Sequence, residues 1–430
     1  MRRAIMGVAV LVAVAVVTAG CGSSRPAAGT GSGPSAASAA GKRVVHVFGF
    51  GVETAPALGG AFPVQTYMTS VATATANAIN ADPAGKVSID YTFCDTKFTP
   101  TGLQQCARQA LSPTGCGGSP CDVAFDIDDI TDNLSVPEMG AGGIPIVGTV
   151  VNTPQALSTP NDFCITGGPN SVQQGLGYVL RSEGAHKVGL IMYTSLLATP
   201  LIGWAAEGIR ANGLTVGGQQ TVPVTAVDVG PSIDTVLGGG GNGLWFNVTN
   251  VGGALKYAEN AYKQAKVAFA GYQIQPGLFG ALPTALTNGI GVAAWAQPLT
   301  ATNIPGVAQY EKEVGSAAGS LFKYYDNTLL EWLGIHFVAN VAHTISGTVD
   351  KGSMLKAMQS AKNVNMYGVM PPWTASGRGA NGAVACSPYH VFVPEMLKDG
   401  LQLATPPGVF VDPLTGKTAY VDPGFTAPAS

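Results

Sequence analysis

Charge is scarce in this 430-residue chain: Asp, Glu, Lys and Arg make up 11% of it, well below the roughly 25% of ordinary soluble domains. With 22 basic against 25 acidic residues and a formal net charge of −3, no basic patch offers itself to nucleic acid. Histidine is sparse too, at 5 residues. No Gly-x-Ser-x-Gly elbow or His-Glu-x-x-His helix occurs, which removes the sequence signatures of the serine hydrolases and zinc peptidases built on those motifs. His336 and His343 fall on one expected helix, two turns or about 10 Å apart by helical rise, too far to share a ligand, so both are read as packing residues. The run Gly377-Arg378-Gly379-Ala380-Asn381-Gly382 fits a dinucleotide fingerprint by spacing. It neither follows a strand nor opens a helix, so a loop is expected. Past the N-terminal segment no run of about 18 apolar residues exists that could cross a bilayer. Neither catalysis nor a cofactor or metal is expected.

What is present begins with an apolar stretch from Ala4 to Val17, preceded by Arg2 and Arg3 and closed by Thr18-Ala19-Gly20-Cys21. It resembles a bacterial lipoprotein export signal: a charged start, an apolar segment too short for a stable anchor, and small residues that admit a peptidase. The resemblance implies removal of residues 1–20, a lipid on Cys21 and attachment to the outer face of the cytoplasmic membrane. The alternative is an ordinary cleaved signal with Cys21 buried or paired. Residues 21–42 are almost entirely Gly, Ser, Ala, Pro and Thr, too poor in apolar surface to offset the entropy of ordering, and read as a flexible stalk.

Six further cysteines, Cys94, Cys106, Cys116, Cys121, Cys164 and Cys386, are an even number in a chain bound for an oxidising compartment, and three disulfides are expected. Zinc would need a second close pair beside Cys116 and Cys121, and none is present. Spacing leaves the connectivity open.

The length suggests two domains, and 58 glycines with 46% hydrophobic residues suggest a well-buried, turn-rich body. Short β-rich apolar runs alternate with amphipathic ones, the pattern of βαβ units and a parallel sheet covered by helices. Strands are expected at Arg43 to Phe48, Lys86 to Phe93, Val123 to Ile127 and Ile144 to Gly148, with helices at Phe62 to Asp82, Thr101 to Leu111 and near Val136. A second series places helices at Asn170 to Glu183, Leu201 to Asn212, Ser232 to Gly238, Ala254 to Gln264 and Gly277 to Ala285. Its strands are expected at Lys187 to Tyr193, Val216 to Val222, Gly243 to Asn247, Val267 to Ala270 and Gly291 to Ala296. Tyr324 to Ile345 reads as a helix with one broad apolar face. Lys356 to Val364 extends a further one.

Several passages then converge. Ile144-Pro145-Ile146-Val147-Gly148-Thr149 with Asn152-Thr153-Pro154-Gln155, Phe163-Cys164-Ile165-Thr166 with Pro169-Asn170-Ser171, His186-Lys187-Val188-Gly189, Tyr325-Asp326-Asn327 and Lys398-Asp399-Gly400 together resemble type I periplasmic substrate-binding proteins of the leucine/isoleucine/valine-binding kind. The resemblance runs from about Val44 to Gly400. It implies an α/β fold of two lobes, each a mostly parallel sheet flanked by helices, with three hinge crossings. Lobe 1 would be residues 43–164 and 300–365, lobe 2 residues 165–299 and 366–420, and residues 421–430 a tail. It further implies an extracytoplasmic solute-binding lipoprotein that captures a small polar molecule, amino-acid-like, amide or polyol, and delivers it to the permease of an ABC importer. A ligand-sensing lipoprotein without transport and an exported hydrolase with an unrecognised site are the alternatives. Cys164 and Cys386 fall where the chain of this family first and last passes between lobes, so a bond between them would pin the hinge; the other four cysteines would form two bonds inside lobe 1.

Ligands of open α/β sheets gather beyond the carboxyl ends of the strands. The candidate contacts are therefore Asp126, Asp128, Thr149, Asn152 and Thr153 in lobe 1 and Tyr193, Asn247, Thr249, Tyr272 and Trp295 in lobe 2. Asp126-Ile127-Asp128-Asp129 stands where amino-acid binders of the family carry small hydroxyl residues, and such a cluster would repel a ligand carboxylate. Thr149→Val is expected to weaken binding and leave folding nearly intact.

Overall fold

The computed structural model describes residues 41–55, 60–61, 63–127, 132–149, 153–195, 197–274, 289–318, 326–397 and 401–425. Its first sheet is built from β1 (Arg43–Gly51), β2 (Val87–Asp95), β3 (Val123–Ile127), β4 (Ile146–Gly148) and β5 (Asp162–Cys164), in the order β2-β1-β3-β4-β5. All pairings are parallel. A parallel sheet must be covered on both faces, and the two faces of β1 and β3 sort accordingly. Val45, Val47 and Phe125 join one core cluster, whereas Phe48, Phe50 and Ala124 join another. On the first face lie α1 (Pro63–Ala81) and, from much later in the chain, a long helix described below; on the second lie α2 (Pro100–Leu111) and α3 (Ser135–Ala141). Thr99 starts α2 by accepting from the Gly102 amide at 3.0 Å, with Pro100 at the first helical position. A single turn, α4 (Pro154–Leu157), precedes β5.

From β5 the chain passes through α5 (Gly168–Ser182) into β6 (Lys187–Tyr193), α6 (Ala198–Ala211), β7 (Thr215–Val222), α7 (Gly230–Leu237), β8 (Gly243–Asn247), α8 (Val251–Ala261), β9 (Lys266–Ala270), the 3₁₀ turn Gly271–Gln273 and β10 (Ile290–Ala294). It returns to the first sheet through α9 (Pro305–Ala318), α10 (Asp326–His343) and α11 (Lys351–Ser360), and then closes the second sheet with β11 (Val393–Leu397) and β12 (Leu401–Leu403). The second sheet runs β12-β11-β10-β9-β8-β6-β7, antiparallel only at β10–β11 and β11–β12. A hairpin of β13 (Val409–Val411) and β14 (Thr418–Val421) follows. The chain thus passes between two helix-flanked sheets three times, which is the two-lobed type I architecture that the resemblance implied.

Where sequence periodicity was strong, observed elements start and stop within a few residues of expectation. Two readings need correction. α9 was not anticipated at all. α10 has no exposed polar face: Leu329, Leu330, Trp332, Leu333, Ile335, Phe337 and Val338 are all fully buried, because α1, α9 and the first sheet enclose it on several sides. The expected helix from Gly277 to Ala285 falls outside the described residues.

Candidate functional site

In the first sheet the carboxyl ends of β3 and β4 carry Asp126 and, one residue past β4, Thr149. Both are fully buried. Thr149 Oγ1 stands 3.0 Å from the carbonyl of Asp126 and 2.8 Å from Glu331 Oε1 on α10. What brings Glu331 there is Gly334: a Cβ at that position would overlap the Phe125 ring and lie 3.0 Å from Thr149 Cγ2, so only glycine lets α10 approach the sheet this closely. Glu331 was not singled out from the sequence, since nothing in its local pattern separates it from an ordinary helical glutamate. In register Asp126 sits beside Phe50, so its side chain points to the face covered by α2 and α3, opposite to Phe125. Tyr91, also unanticipated, places its hydroxyl over Gly49 with no hydrogen-bond partner among the described residues. Burial, then the charges of Glu331 and Glu53, hold that phenol well above its ordinary pKa.

Thr153 turned out to be occupied locally. Its hydroxyl bonds Asp132 Oδ1 and accepts from the Ala156 amide at 3.3 Å, capping α4. Asp128 and Asn152 lie outside the described residues.

At the carboxyl ends of the second sheet stand Tyr193, Asn247, Tyr272 and Trp295. Tyr272 and Trp295 pack ring against ring, centroids 5.6 Å apart and planes tilted by 31°. Trp295 is fully buried and donates through Nε1 to the carbonyl of Gly168 at 2.8 Å, while the Tyr272 hydroxyl accepts from Gln173 Nε2 on α5. The neighbouring Gln273 is committed to structure: its Oε1 accepts from Trp245 Nε1 at 2.9 Å and from the Ala270 amide at 3.0 Å. Asn247 is half-buried, and its side chain makes no hydrogen bond to another described residue. Thr249, in contrast, is exposed and donates to the Val224 carbonyl at 2.6 Å.

α10 packs against the turn Gly271–Gln273, so elements from both sheets meet at their carboxyl edges. The structure therefore brings Thr149 to the Asp126 carbonyl in one half and Tyr272 to Trp295 in the other; the Asp126 side chain points to the opposite face, Thr153 caps α4, and Thr249 ties its loop to Val224. The arrangement offers buried oxygen acceptors on one side and an aromatic pair with amides on the other.

Three disulfides join Cys94 to Cys106, Cys116 to Cys121 and Cys164 to Cys386. The Asp162 carboxylate and the sulfurs of Cys164 and Cys386 lie within 4.8 Å of one another, but bonded sulfurs are not thiolates and cannot bind a metal as such. Gly377 closes a 3₁₀ turn, Ala375–Gly377, and the residues after it run as a loop, as expected for that glycine-rich run.

Comparison with known proteins places these features. A family model described as periplasmic binding protein matches residues 56–391. Among solved structures, a substrate-binding protein of an ABC transporter from Aeropyrum pernix is 14% identical, with TM-score 0.69, over 84% of this chain and 95% of the other. A possible leucine/isoleucine/valine-binding protein from Rhodopirellula baltica is 12% identical, with TM-score 0.67, over 86% and 98%. A solute-binding protein of an ABC transporter from Rhodopseudomonas palustris, in complex with p-hydroxybenzoic acid, is 12% identical, with TM-score 0.66, over 88% and 98%. No curated protein matches the chain at a significant level.

Proposed function

Because this chain belongs to the periplasmic binding protein family, a family of extracytoplasmic solute-binding proteins and not of enzymes, we propose that it is the receptor of an ABC importer, capturing a small polar molecule between its lobes. The expected lobe 1, residues 43–164 and 300–365, is extended to residue 386 and lobe 2 becomes residues 165–299 and 387–420, because Trp373 Nε1 donates to the Cys164 carbonyl and Arg378 Nη2 to the Asp162 carbonyl, which holds residues 373–386 on the edge of the first sheet. The observation that carries the reading is the meeting of α10 with the turn Gly271–Gln273 at the carboxyl edges of both sheets. A guest touching both edges favours closure because only the closed form makes both sets of contacts.

Asp126, Thr149, Tyr193, Asn247, Tyr272 and Trp295 form the proposed lining. Amino-acid-like molecules, amides and polyols are the proposed ligand classes. The Rhodopseudomonas neighbour was solved with an aromatic acid; a carboxylate seated on the first sheet here would meet the buried carboxyls of Asp126 and Glu331 rather than a cationic partner. Cys21 carries the lipid that holds the receptor at the outer face of the membrane. No helix among the described residues is long and apolar enough to cross a membrane.

A thermal-shift screen of amino acids, amides, polyols and aromatic acids, followed by calorimetry, tests the reading. A 1:1 ligand present at 100 times its Kd should stabilise the protein by about 2.7 kcal/mol. Turnover of a screened compound, or a folded protein that none of these classes stabilises, would refute it. Mass analysis of the mature N-terminal peptide tests the lipid on Cys21.

A further inference from the structure

Two of the three connections between the sheets run side by side and are joined covalently. Cys164 is the last residue of β5, an edge strand of the first sheet, and only Ile165, Thr166 and Gly167 separate it from α5, which packs on β9 and β10 of the second sheet. Cys386 lies shortly before β11, which also belongs to the second sheet. Besides the bond between their sulfurs, the Cys164 amide donates to the Cys386 carbonyl at 3.0 Å. Arg378 adds a second fastening. Its Nε donates to the Cys386 carbonyl at 3.1 Å, its Nη2 donates to the Asp162 carbonyl, and its guanidinium lies 4.5 Å over the Phe163 ring. Trp373 Nε1 donates to the Cys164 carbonyl at 3.0 Å.

Beyond these fastenings both connections attach to α5. Asn170 Nδ2 donates to the Gly382 carbonyl at 3.0 Å, and Gln174 Oε1 lies 2.6 Å from His390 Nε2. The turn into α5 is crowded: Gly168 has φ +75°, and a Cβ on Gly167 would collide with Ser171 Oγ and stand 3.0 Å from the Val391 carbonyl. Little free chain is left on either connection.

We propose that the Cys164–Cys386 bond, seconded by Arg378, is a hinge staple that fuses the first and third connections into one ribbon, confines lobe rotation to residues 165–168 and 387–392, and narrows the range to which the lobes open. A fold of this kind needs only three separate strands to hinge; the staple makes two of them move together. Narrowing the open ensemble lowers the entropy lost on closure, so the staple also favours ligand capture. The inference concerns the hinge and stands whatever the ligand proves to be.

Hydrogen exchange and small-angle scattering on the full mature protein test it, comparing the wild type with Cys164→Ser/Cys386→Ser, with Cys94→Ser/Cys106→Ser and with Arg378→Met. Loss of the hinge bond should speed exchange in peptides covering residues 165–171 and 387–392 on the order of tenfold and broaden the distribution of overall dimensions, while peptides of β3 and β8 keep their protection. Loss of Cys94–Cys106, which joins β2 to α2 beside a single sheet, should leave the hinge peptides as they are. Arg378→Met, with the bond intact, should loosen the same peptides about threefold. A folded Cys164→Ser/Cys386→Ser protein with unchanged hinge exchange would overturn the proposal, and so would equal loosening by Cys94→Ser/Cys106→Ser. Should the double variant fail to fold, the Arg378→Met result decides: unchanged exchange at both hinge peptides then makes the bond a folding element only.

Discussion

Thr149→Val removes one hydroxyl and keeps the shape, so its effect isolates the hydrogen bonds. Thr149 is fully buried and its Oγ1 sits 3.0 Å from the Asp126 carbonyl and 2.8 Å from Glu331 Oε1. Its single proton can serve only one acceptor at a time, and the carboxylate is the stronger. With valine the methyl against Gly334 is retained and no cavity opens, so the cost is one hydrogen bond to a buried carboxyl, about 1–3 kcal/mol. At roughly 2–4 °C per kcal/mol for a lobe of this size, Tm should fall by about 2–12 °C. Calorimetry on the mature protein measures this, with Thr149→Ser as the control that restores the hydroxyl and recovers most of the loss. A Thr149→Val protein within about 0.5 kcal/mol of wild type would refute the argument, because the donor would then have no energetic role. The sequence alone led to the opposite expectation, impaired binding with folding nearly intact; the Glu331 contact turns the substitution into a stability variant first.

Other outcomes follow from the same reasoning. The carboxyl oxygens of Glu183 are buried without hydrogen-bond partners among the described residues, and burial raises its pKa to about 8 despite the opposing charge of Lys266. A carboxyl whose folded pKa is raised contributes stability that is fully present below its unfolded pKa, near 4.3, and lost as pH rises toward 8; Glu183→Gln should therefore match wild type near pH 4 and exceed it at pH 8 by on the order of 2–4 kcal/mol in urea melts. Equal stabilities at both pH values would contradict the burial argument. Gly334→Ala should destabilise by about 1–3 kcal/mol, since the added methyl meets the Phe125 ring; a neutral result in the same melts would mean that α10 shifts without penalty. Tyr272→Ala deletes the ring stacked on Trp295 and should weaken the first ligand found by screening about tenfold in titration calorimetry. Unchanged affinity would take Tyr272 out of the proposed lining.

Alternation of β-rich and amphipathic runs was enough to anticipate two parallel α/β blocks, and strands such as Val123–Ile127, Lys187–Tyr193 and Gly243–Asn247 were read with their observed bounds. These elements are legible because local propensity and burial pattern agree in them. The helix Pro305–Ala318 escaped notice, since glycine, alanine and serine at Gly306, Ala308, Gly315, Ser316 and Ala317 dilute its apolar stripe. Counting cysteines foretold three bonds, but only proximity in space could pair Cys94 with Cys106 and Cys116 with Cys121. The candidate site divides in the same way. Loops at strand ends are visible in sequence, so Asp126, Thr149, Tyr272 and Trp295 are candidates that sequence can nominate, whereas Glu331, Gln173 and Tyr91 reach the candidate site from a helix contributed by a distant part of the chain, from α5 and from the interior of a strand. Hydrophobic periodicity by itself determined which segments are strands and helices and in what order they alternate. Which helix covers which sheet, and hence which acid meets Thr149 and which cysteine meets Cys164, was decided only by tertiary packing, because those contacts join residues 182 and 222 positions apart, a separation over which no local pattern carries information.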